Sequence, residues 1–209
     1  IKMSNDLSFD FDTPIERRGT SSMKWEKYAA RDIIPLWVAD MDFRAPAAIC
    51  DALHQRIEHG VFGYTIPSSE LSDTVVSMLQ TSYGWKIKSE WLVWIPGLVC
   101  GLNVACRAVG DDGDDVITMV PVYPHFLSAP FNFNRNLIKV PLVGNSNRWG
   151  FDIDRFEQTI TPKTRLFMLC NPHNPVGRVY TQEELTALAD ICQKHNLIIC
   201  SDEIHSGLI

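Results

Sequence analysis

Two apolar runs near the end of the chain, residues 165–170 and 197–200, are separated by a stretch with the pattern of a capped helix. Thr181 precedes that stretch, and two glutamates follow in its first turn. Short, almost continuously apolar strands joined by a helix are typical of a βαβ unit in a buried parallel sheet. Ligands of such sheets bind beyond the carboxyl ends of the strands. The pattern therefore predicts a ligand site built from the residues that follow these two strands.

Earlier parts of the chain repeat this alternation of apolar strands and amphipathic helices. In the helix predicted over residues 47–59, for example, Ile49, Leu53 and Ile57 recur every four residues. Further helices are predicted over residues 68–83, 98–109 and 153–160, and further strands over residues 91–95, 116–120 and 137–140. The alternation predicts an α/β fold of three layers, in which helices cover both faces of a mostly parallel sheet.

The composition is ordinary for a soluble globular protein, with 209 residues of which 45% are hydrophobic and 21% charged. The net charge of −6 and the lack of a basic stripe argue against a nucleic-acid partner. No apolar run is long enough to span a membrane, and the first residues lack the apolar core of a signal peptide. The six cysteines lie mostly within apolar runs and form no Cys-x-x-Cys pair. These features predict reduced thiols in a cytoplasmic protein with no membrane partner.

Two polar side chains follow the apolar strands at the predicted ligand edge. Asp202 ends an almost purely apolar strand, and a buried carboxylate needs either a cationic partner or hydrogen bonds. Asp202 is thus either a ligand-binding acid or an acid bonded to nearby backbone amides. Asn174 lies in a loop with two Asn-Pro steps, which restrict the residue before each proline to extended conformations. That loop either aims the Asn174 amide at a ligand or is simply a stiff turn.

Three further segments offer groups that could bind a ligand. Leu98 and Val99 follow Gly97 at a predicted helix start, where free amides and the helix dipole suit a phosphate. This segment is neither a Walker A loop nor a G-x-G-x-x-G loop, and it could be an ordinary strand–helix turn. Tyr123, flanked by prolines after a strand, could stack on a flat ligand or lie in the core. Tyr64, in a glycine-bounded loop, could reach a ligand or a second subunit, or be a surface aromatic.

Taken together, these candidates suit pyridoxal 5′-phosphate. They offer amides for a phosphate, an aromatic face, an amide donor and a carboxylate for a protonated ring nitrogen. The carboxylate would keep the pyridine ring protonated, so that the ring can act as an electron sink. No set of cysteines and histidines has the spacing of metal ligands, so no metal site is predicted.

The motifs that carry these candidates resemble those of the class I/II aminotransferase superfamily of pyridoxal-phosphate enzymes, fold type I. The resemblance lies first in residues 171–177 (Asn-Pro-His-Asn-Pro-Val-Gly) and 201–205 (Ser-Asp-Glu-Ile-His). Residues 37–43, 60–65 and 121–126 further resemble the branch of cystathionine β-lyases and C–S lyases typified by MalY and PatB. The similarity covers nearly the whole chain, from about residue 9 onward.

The resemblance implies a role for each candidate residue. Asp202 would pair with the pyridine nitrogen and Asn174 would bond the 3′ oxygen of the ring. Tyr123 would stack on the ring, and the amides of Leu98 and Val99 would hold the phosphate.

Other roles implied by the resemblance concern the dimer and the substrate. Tyr64 would reach the cofactor phosphate of the other subunit in a homodimer with shared active sites. His205 stands where many relatives have a tyrosine near the 3′ oxygen. Ala39 and Asp40 would line the carboxylate side of an amino-acid substrate. Residues 1–45 would belong to the small domain, and residues 46–209 to the first part of the cofactor-binding large domain.

The chain departs from the family pattern in two respects. Gly207 stands where relatives usually have an acid. The family's catalytic lysine lies in a Ser-x-x-Lys motif downstream of residues 201–205, and neither Lys163 nor Lys194 fits that pattern. We therefore expect the 209 residues to be the first half of such an enzyme and to be inactive alone.

The resemblance implies a lyase that converts a β-thio amino acid to pyruvate, ammonia and a thiol. Two alternatives remain open at this point: an aminotransferase of the same fold, and a binding or regulatory module without catalytic activity.

Overall fold

The structure is a computed structural model that describes residues 9–144 and 148–209. The chain divides into two compact units, one that ends at Ile66 and one that comprises Pro67–Ile209. We call these the N-terminal unit and the sheet unit. No helix among the described residues combines the length and the apolarity needed to cross a bilayer.

The N-terminal unit has two helices, α1 (Met23–Glu26) and α2 (Ala47–His59). Helix α2 ends at Gly60, whose φ of 70° is the left-handed conformation typical of a residue just after a helix. The predicted helix over residues 47–59 is thus confirmed. Its apolar stripe is not buried, because Ile49, Leu53 and Ile57 are each more than half exposed.

The sheet unit contains the remaining helices and strands. Its helices are α3 (Ser69–Tyr83), α4 (Leu98–Ala108), α5 (Pro124–Ser128), α6 (Ile153–Gln158) and α7 (Gln182–Lys194). Its strands are β1 (Asp115–Val120), β2 (Asn136–Pro141), β3 (Val143–Gly144), β4 (Trp149–Gly150), β5 (Thr164–Cys170) and β6 (Ile198–Asp202). Strands β3 and β4 form a small antiparallel pair.

The main sheet has four strands in the order β2-β1-β5-β6, and every neighbouring pair is parallel. Successive residues of a strand point to opposite faces of a sheet. In β5, Leu166 and Met168 pack in a cluster with α4 and α5, whereas Phe167 and Leu169 pack in a second cluster with α6 and α7. Helices thus cover both faces, which confirms the predicted three-layer α/β fold.

One predicted strand is absent. Residues 92–95 form no strand, and a short 3-10 turn, Ser89–Trp91, precedes them. A strand requires a hydrogen-bonding neighbour, and this segment has none among the described residues of the main sheet. The side chain of Val93 is 80% exposed, so the apolar character that suggested a buried strand is not matched by burial here.

Candidate functional site

The parallel sheet brings the ends of its strands, and the loops that follow them, to one edge. Cys170 at the end of β5 lies opposite Asp202 at the end of β6. Just beyond, the Asn171 N–H donates to the carbonyl oxygen of Asp202 at 3.0 Å. Strand β1 lies on the other side of β5 in parallel, so the loop carrying Tyr123 emerges at the same edge. The predicted ligand edge is therefore formed by the loops after β1, β5 and β6.

A cleft of about 400 Å³ opens where α4 begins and β6 ends. We call it the strand-end cleft. Leu98, Gly101 and Leu102 of α4 line one side, and residues 200–204 line the other. Its volume falls within the range of small-molecule sites. The structure thus brings two of the predicted groups, the start of α4 and Asp202, to a common cavity.

The carboxylate of Asp202 is half-buried in this cleft and only partly satisfied by the protein. Its Oδ1 accepts a hydrogen bond from the Ile204 N–H at 3.1 Å. Among the described residues it has no ion-pair partner and no second hydrogen bond. From the sequence, Asp202 was either a ligand-binding acid or an acid bonded to a nearby backbone amide, and the bond to Ile204 is of the second kind. That bond uses only part of the acceptor capacity of the carboxylate, so the rest is available to a ligand.

The first turn of α4 presents free backbone amides. No side chain caps this helix, and its first internal bond runs from the Gly101 N–H to the Gly97 carbonyl at 3.1 Å. The amides of Leu98 and Val99 come before that bond, so they have no acceptor within the helix. Gly97 has a φ of 141°, a conformation that side-chain-bearing residues rarely adopt. Glycine is therefore required at the turn that exposes these amides.

Asn174 is half-buried in the loop after β5. Its backbone N–H donates to Cys170 Sγ at 3.4 Å, and its side-chain amide makes no hydrogen bond among the described residues. The peptide bonds before Pro172 and Pro175 are both cis. Asn174 does not line the strand-end cleft, although it follows the strand next to β6.

Tyr123 and His205 also follow strands at this edge without lining the cleft. Tyr123 directly precedes α5, is half-buried, and meets the ring of His125 at 5.1 Å between centroids. His205 is half-buried and precedes the 3-10 turn Ser206–Leu208. Val99 is also outside the set of lining residues, one position beyond Leu98.

The other predicted residues lie in the N-terminal unit. Tyr64 is fully exposed. Ala39 and Asp40 are exposed as well, and the Asp40 carboxylate is paired with Arg17 at 2.8 Å. These three residues thus belong to the N-terminal unit, whereas the strand-end cleft belongs to the sheet unit.

Burial makes several cysteines poor nucleophiles. It raises the pKa of Cys106 and of Cys192 to about 11, and it also raises the pKa of Cys170 and of Cys200. All six cysteines are free, as predicted, but Cys100 is exposed. Cys200 lines the strand-end cleft as a protonated thiol, and the carboxylates on that wall belong to Asp202 and Glu203.

The sequence analysis did not identify a cluster of buried side chains that lies within and just after the loop that follows β5. His173 is 2% exposed and bonds both Tyr180 and Pro121. Arg178, also buried, stacks over the Tyr180 ring at 4.3 Å and forms an ion pair with Glu184. These residues surround Asn174 in sequence, but neither their spacing nor their periodicity signals that they meet.

Comparison with known proteins places this geometry in a family. Residues 31–209 match the sequence profile of aminotransferase class I and II. The chain is 40% identical over 205 residues to cystathionine β-lyase PatB of Bacillus subtilis, covering 96% of this chain and 53% of that protein.

Two solved structures are similar to the fold. The crystal structure of OvoB is 45% identical, with a TM-score of 0.88, and the match covers 94% of this chain and 52% of that chain. Cystalysin from Treponema denticola, whose crystal structure contains a pyridoxal 5′-phosphate cofactor, is 32% identical with a TM-score of 0.88 over 95% of this chain and 52% of that chain. The chain spans about half the length of the curated relatives it matches. The resemblance inferred from the motifs is confirmed: this chain belongs to the aminotransferase class I and II family.

Proposed function

We propose that the full-length protein containing these residues is a pyridoxal-phosphate-dependent C–S lyase. It would convert a β-thio amino acid such as cystathionine to pyruvate, ammonia and a thiol. The observation that carries the proposal is the strand-end cleft, which holds the uncapped start of α4 and the carboxylate of Asp202. The likeness to PatB, named a cystathionine β-lyase, and to cystalysin supports the lyase over other members of the family.

The donor set of the cleft fits the cofactor. The amides of Leu98 and Val99 lack acceptors, so they can donate to phosphate oxygens, and the α4 dipole favours the negative charge. Asp202 lacks a cation, and a protonated pyridine nitrogen would provide both the charge and the N–H donor. When bound, pyridoxal phosphate would supply an electron sink for the carbanion formed at the substrate.

The remaining candidates would orient the ring from the neighbouring loops. The Asn174 amide would donate to the 3′ oxygen, and its side chain is free of other hydrogen bonds among the described residues. Tyr123 would lie against the ring face, and His205 would contribute near the 3′ oxygen. Each of these three residues follows a strand of the parallel sheet at the ligand edge.

Residues of the N-terminal unit would contribute to substrate binding and to assembly. Ala39 and Asp40 would line the substrate's carboxylate side, and Tyr64 would reach the cofactor phosphate of a second subunit in a cytoplasmic homodimer. Residues 1–45 would form part of a small domain, and residues 46–209 part of the large domain. The catalytic lysine would be supplied by a Ser-x-x-Lys motif downstream of residues 201–205.

The reaction type is tested by feeding the full-length protein cystathionine with and without a 2-oxo acid acceptor. Pyruvate and thiol formed without an acceptor are the expected products. Turnover that requires the acceptor would identify an aminotransferase instead. No turnover in either condition, with cofactor bound, would favour a binding module.

A matched pair of variants tests the role of the cleft. Because Asn cannot balance a pyridinium charge, Asp202→Asn should lower kcat/KM by about 100-fold or more. Asp190→Asn, exposed on α7, should leave it unchanged. Equal activity of the two variants would contradict the assignment of Asp202.

A further inference from the structure

His173 is a buried residue of the loop that carries Asn174, and its ring contacts the loop that carries Tyr123. We call residues 121–123 the β1 loop and residues 171–177 the β5 loop. The ring Nε2 of His173 lies 2.9 Å from the Pro121 carbonyl oxygen, and its Nδ1 lies 2.8 Å from the Tyr180 hydroxyl. Among the described residues, no other hydrogen bond joins the two loops.

The partners of the ring define its tautomer. A carbonyl oxygen can only accept, so Nε2 carries the proton and donates to Pro121. In a neutral ring Nδ1 is then an acceptor, and the Tyr180 hydroxyl donates to it. Burial lowers the pKa of His173 and outweighs the opposing effect of the bond to Pro121, with a smaller lowering from the Arg178 charge, whereas burial raises the pKa of Tyr180. Both groups therefore remain in the neutral forms that these two bonds require.

Tyr180, which bonds Nδ1 of His173, is itself held in place. The Tyr180 N–H donates to Asn171 Oδ1 at 3.1 Å, and the Arg178 guanidinium covers the Tyr180 ring. The His173 N–H donates to the Arg178 carbonyl at 2.7 Å, and its own carbonyl accepts from Gly177 at 2.8 Å. The β5 loop is therefore internally braced, and the Nε2 bond is what connects that braced loop to the β1 loop.

We propose that His173 is a positioning residue that sets the Asn174 amide and the Tyr123 ring relative to each other through its Nε2–H bond to the Pro121 carbonyl. This inference rests on the proposed function, because Asn174 and Tyr123 are the groups assigned to the 3′ oxygen and the face of the cofactor ring. His173 is 2% exposed and does not line the strand-end cleft, so it acts on the site through the backbone and not by touching the cofactor.

Two substitutions separate the two hydrogen bonds. The Gln amide reaches the position of Nε2, so His173→Gln keeps a donor for the Pro121 carbonyl. The shorter Asn amide reaches only the position of Nδ1, so His173→Asn keeps a partner for Tyr180 and loses the bridge. Exposed His54 on α2 gives a matched control, His54→Asn.

The readout is cofactor affinity, measured on the full-length apoprotein by titration with pyridoxal phosphate, together with the absorption maximum of the bound cofactor. We expect His173→Asn to weaken affinity about tenfold and to shift the maximum, since one net hydrogen bond is worth about that factor. His173→Gln and His54→Asn should stay within about threefold of the wild type. Equal losses in His173→Asn and His173→Gln would indicate a merely structural role and overturn the proposal.

Two measurements keep the proposal falsifiable if His173→Asn fails to fold. Nitrogen-15 NMR of the wild type should show Nε2 protonated and Nδ1 unprotonated, and the opposite tautomer would overturn the bridge. Tyr180→Phe leaves the Nε2 bond intact, so it should change affinity by less than about threefold. A larger loss would contradict the assignment of the effect to Nε2.

The outcomes also distinguish a failure of this inference from a failure of the proposed function. A wild type that binds no pyridoxal phosphate overturns the proposed function and this inference together. A wild type that binds it, with His173→Asn indistinguishable in affinity and spectrum, overturns the role of His173 alone.

Discussion

Different forces stabilise each of the two units of this protein. In the sheet unit, large apolar side chains such as Phe126, Phe156 and Phe167 are completely buried on the two faces of the sheet. In the described part of the N-terminal unit, by contrast, no aliphatic or aromatic side chain other than Pro35 is buried. Many of its apolar side chains are exposed instead, among them Ile34 and Leu36 at 81% and 88%.

The N-terminal unit contains a cluster of charged side chains. We call Arg17, Lys24, Asp40 and Asp42 the N-terminal ion cluster. Lys24 donates to Asp42 at 2.8 Å and to the Asp40 carbonyl at 2.9 Å, while Arg17 pairs with both aspartates. The Trp25 indole also donates to Asp42 at 2.9 Å. These contacts fix the backbone of the segment proposed to line the substrate's carboxylate side.

The comparison shows how differently two units of one chain can be stabilised. Apolar burial is non-directional and does not itself depend on charge, whereas an ion cluster fixes a specific backbone geometry and does depend on charge. The residues proposed to bind the cofactor therefore rest on a packed core, whereas Asp40, proposed to line the substrate, is held by its ion pair with Arg17. Each of the following predictions tests that contrast.

The largest effect should come from equal deletions in the two units. Leu166→Ala removes a side chain that is 0% exposed, so it should lower the free energy of unfolding by about 2–5 kcal/mol. Leu36→Ala makes the same deletion at an exposed position of the N-terminal unit and should change it by about 0.5 kcal/mol or less. Urea denaturation measures both, and similar losses would refute the contrast.

A second prediction concerns the N-terminal ion cluster. Lys24→Met keeps the length of the side chain but leaves Asp42 and the Asp40 carbonyl without the ammonium. Because Lys24 is 7% exposed, we expect a loss of about 1–3 kcal/mol in the N-terminal unit. The exposed Asp51→Asn on α2 serves as the control. Hydrogen exchange of residues 22–42 locates the change, and protection equal to that of the wild type would show that the cluster does not hold this segment.

A third prediction concerns helix capping in the sheet unit. Thr181 caps α7 in a reciprocal capping box with Glu184, whereas α2 of the N-terminal unit has no side-chain cap. Thr181→Ala should cost about 1 kcal/mol. Thr186→Ala, the same substitution at an exposed position within α7, should be neutral or slightly stabilising because Ala favours helix. Thermal unfolding of the pair decides, and an equal loss in both would exclude a capping effect.

The smallest effect should be a difference in pH response. His173 has a pKa below its ordinary 6.5, chiefly because burial disfavours the charged ring. The His173 ring therefore binds a proton more readily in the unfolded chain than in the folded sheet unit. The free energy of unfolding should fall as the pH drops below 6.5. His173→Gln should remove this slope.

The N-terminal ion cluster should respond only at lower pH. Bonds from Lys24 and then from Trp25 lower the pKa of Asp42 below its ordinary 3.8. Its stabilising contribution is therefore complete above pH 3.8 and is lost as the pH falls through the lower folded value. Melting curves between neutral and acid pH, with Asp42→Asn as the comparison, should show the sheet unit responding first. A simultaneous response would contradict the separation.

Local sequence patterns were sufficient for most of the fold. Each of these patterns lies within a short segment of sequence: the apolar runs that form β1, β5 and β6, and the capped pattern that forms α7. The segment at residues 91–95 was predicted wrongly for a physical reason. A strand is defined by its neighbour, and an apolar run does not reveal whether a neighbour is present.

The candidate site divides in the same way. Asp202 and the start of α4 were predicted from sequence because an acid that ends an apolar strand and a glycine before a helix are local signals. The bridge through His173 was not recognised. Its partners, Pro121 and Tyr180, are 52 and 7 residues away, and only the parallel pairing of β1 with β5 brings the first of them within reach.

The sequence by itself therefore determined most of the segments that become helices and strands and which polar residues follow the strands, because those depend on periodicity and on neighbouring residues. The tertiary structure alone decided that Leu98 and Asp202 share a cleft, and that an imidazole buried in neutral form joins two loops. Both outcomes require strand order and burial, which arise only when distant segments pack together and exclude water.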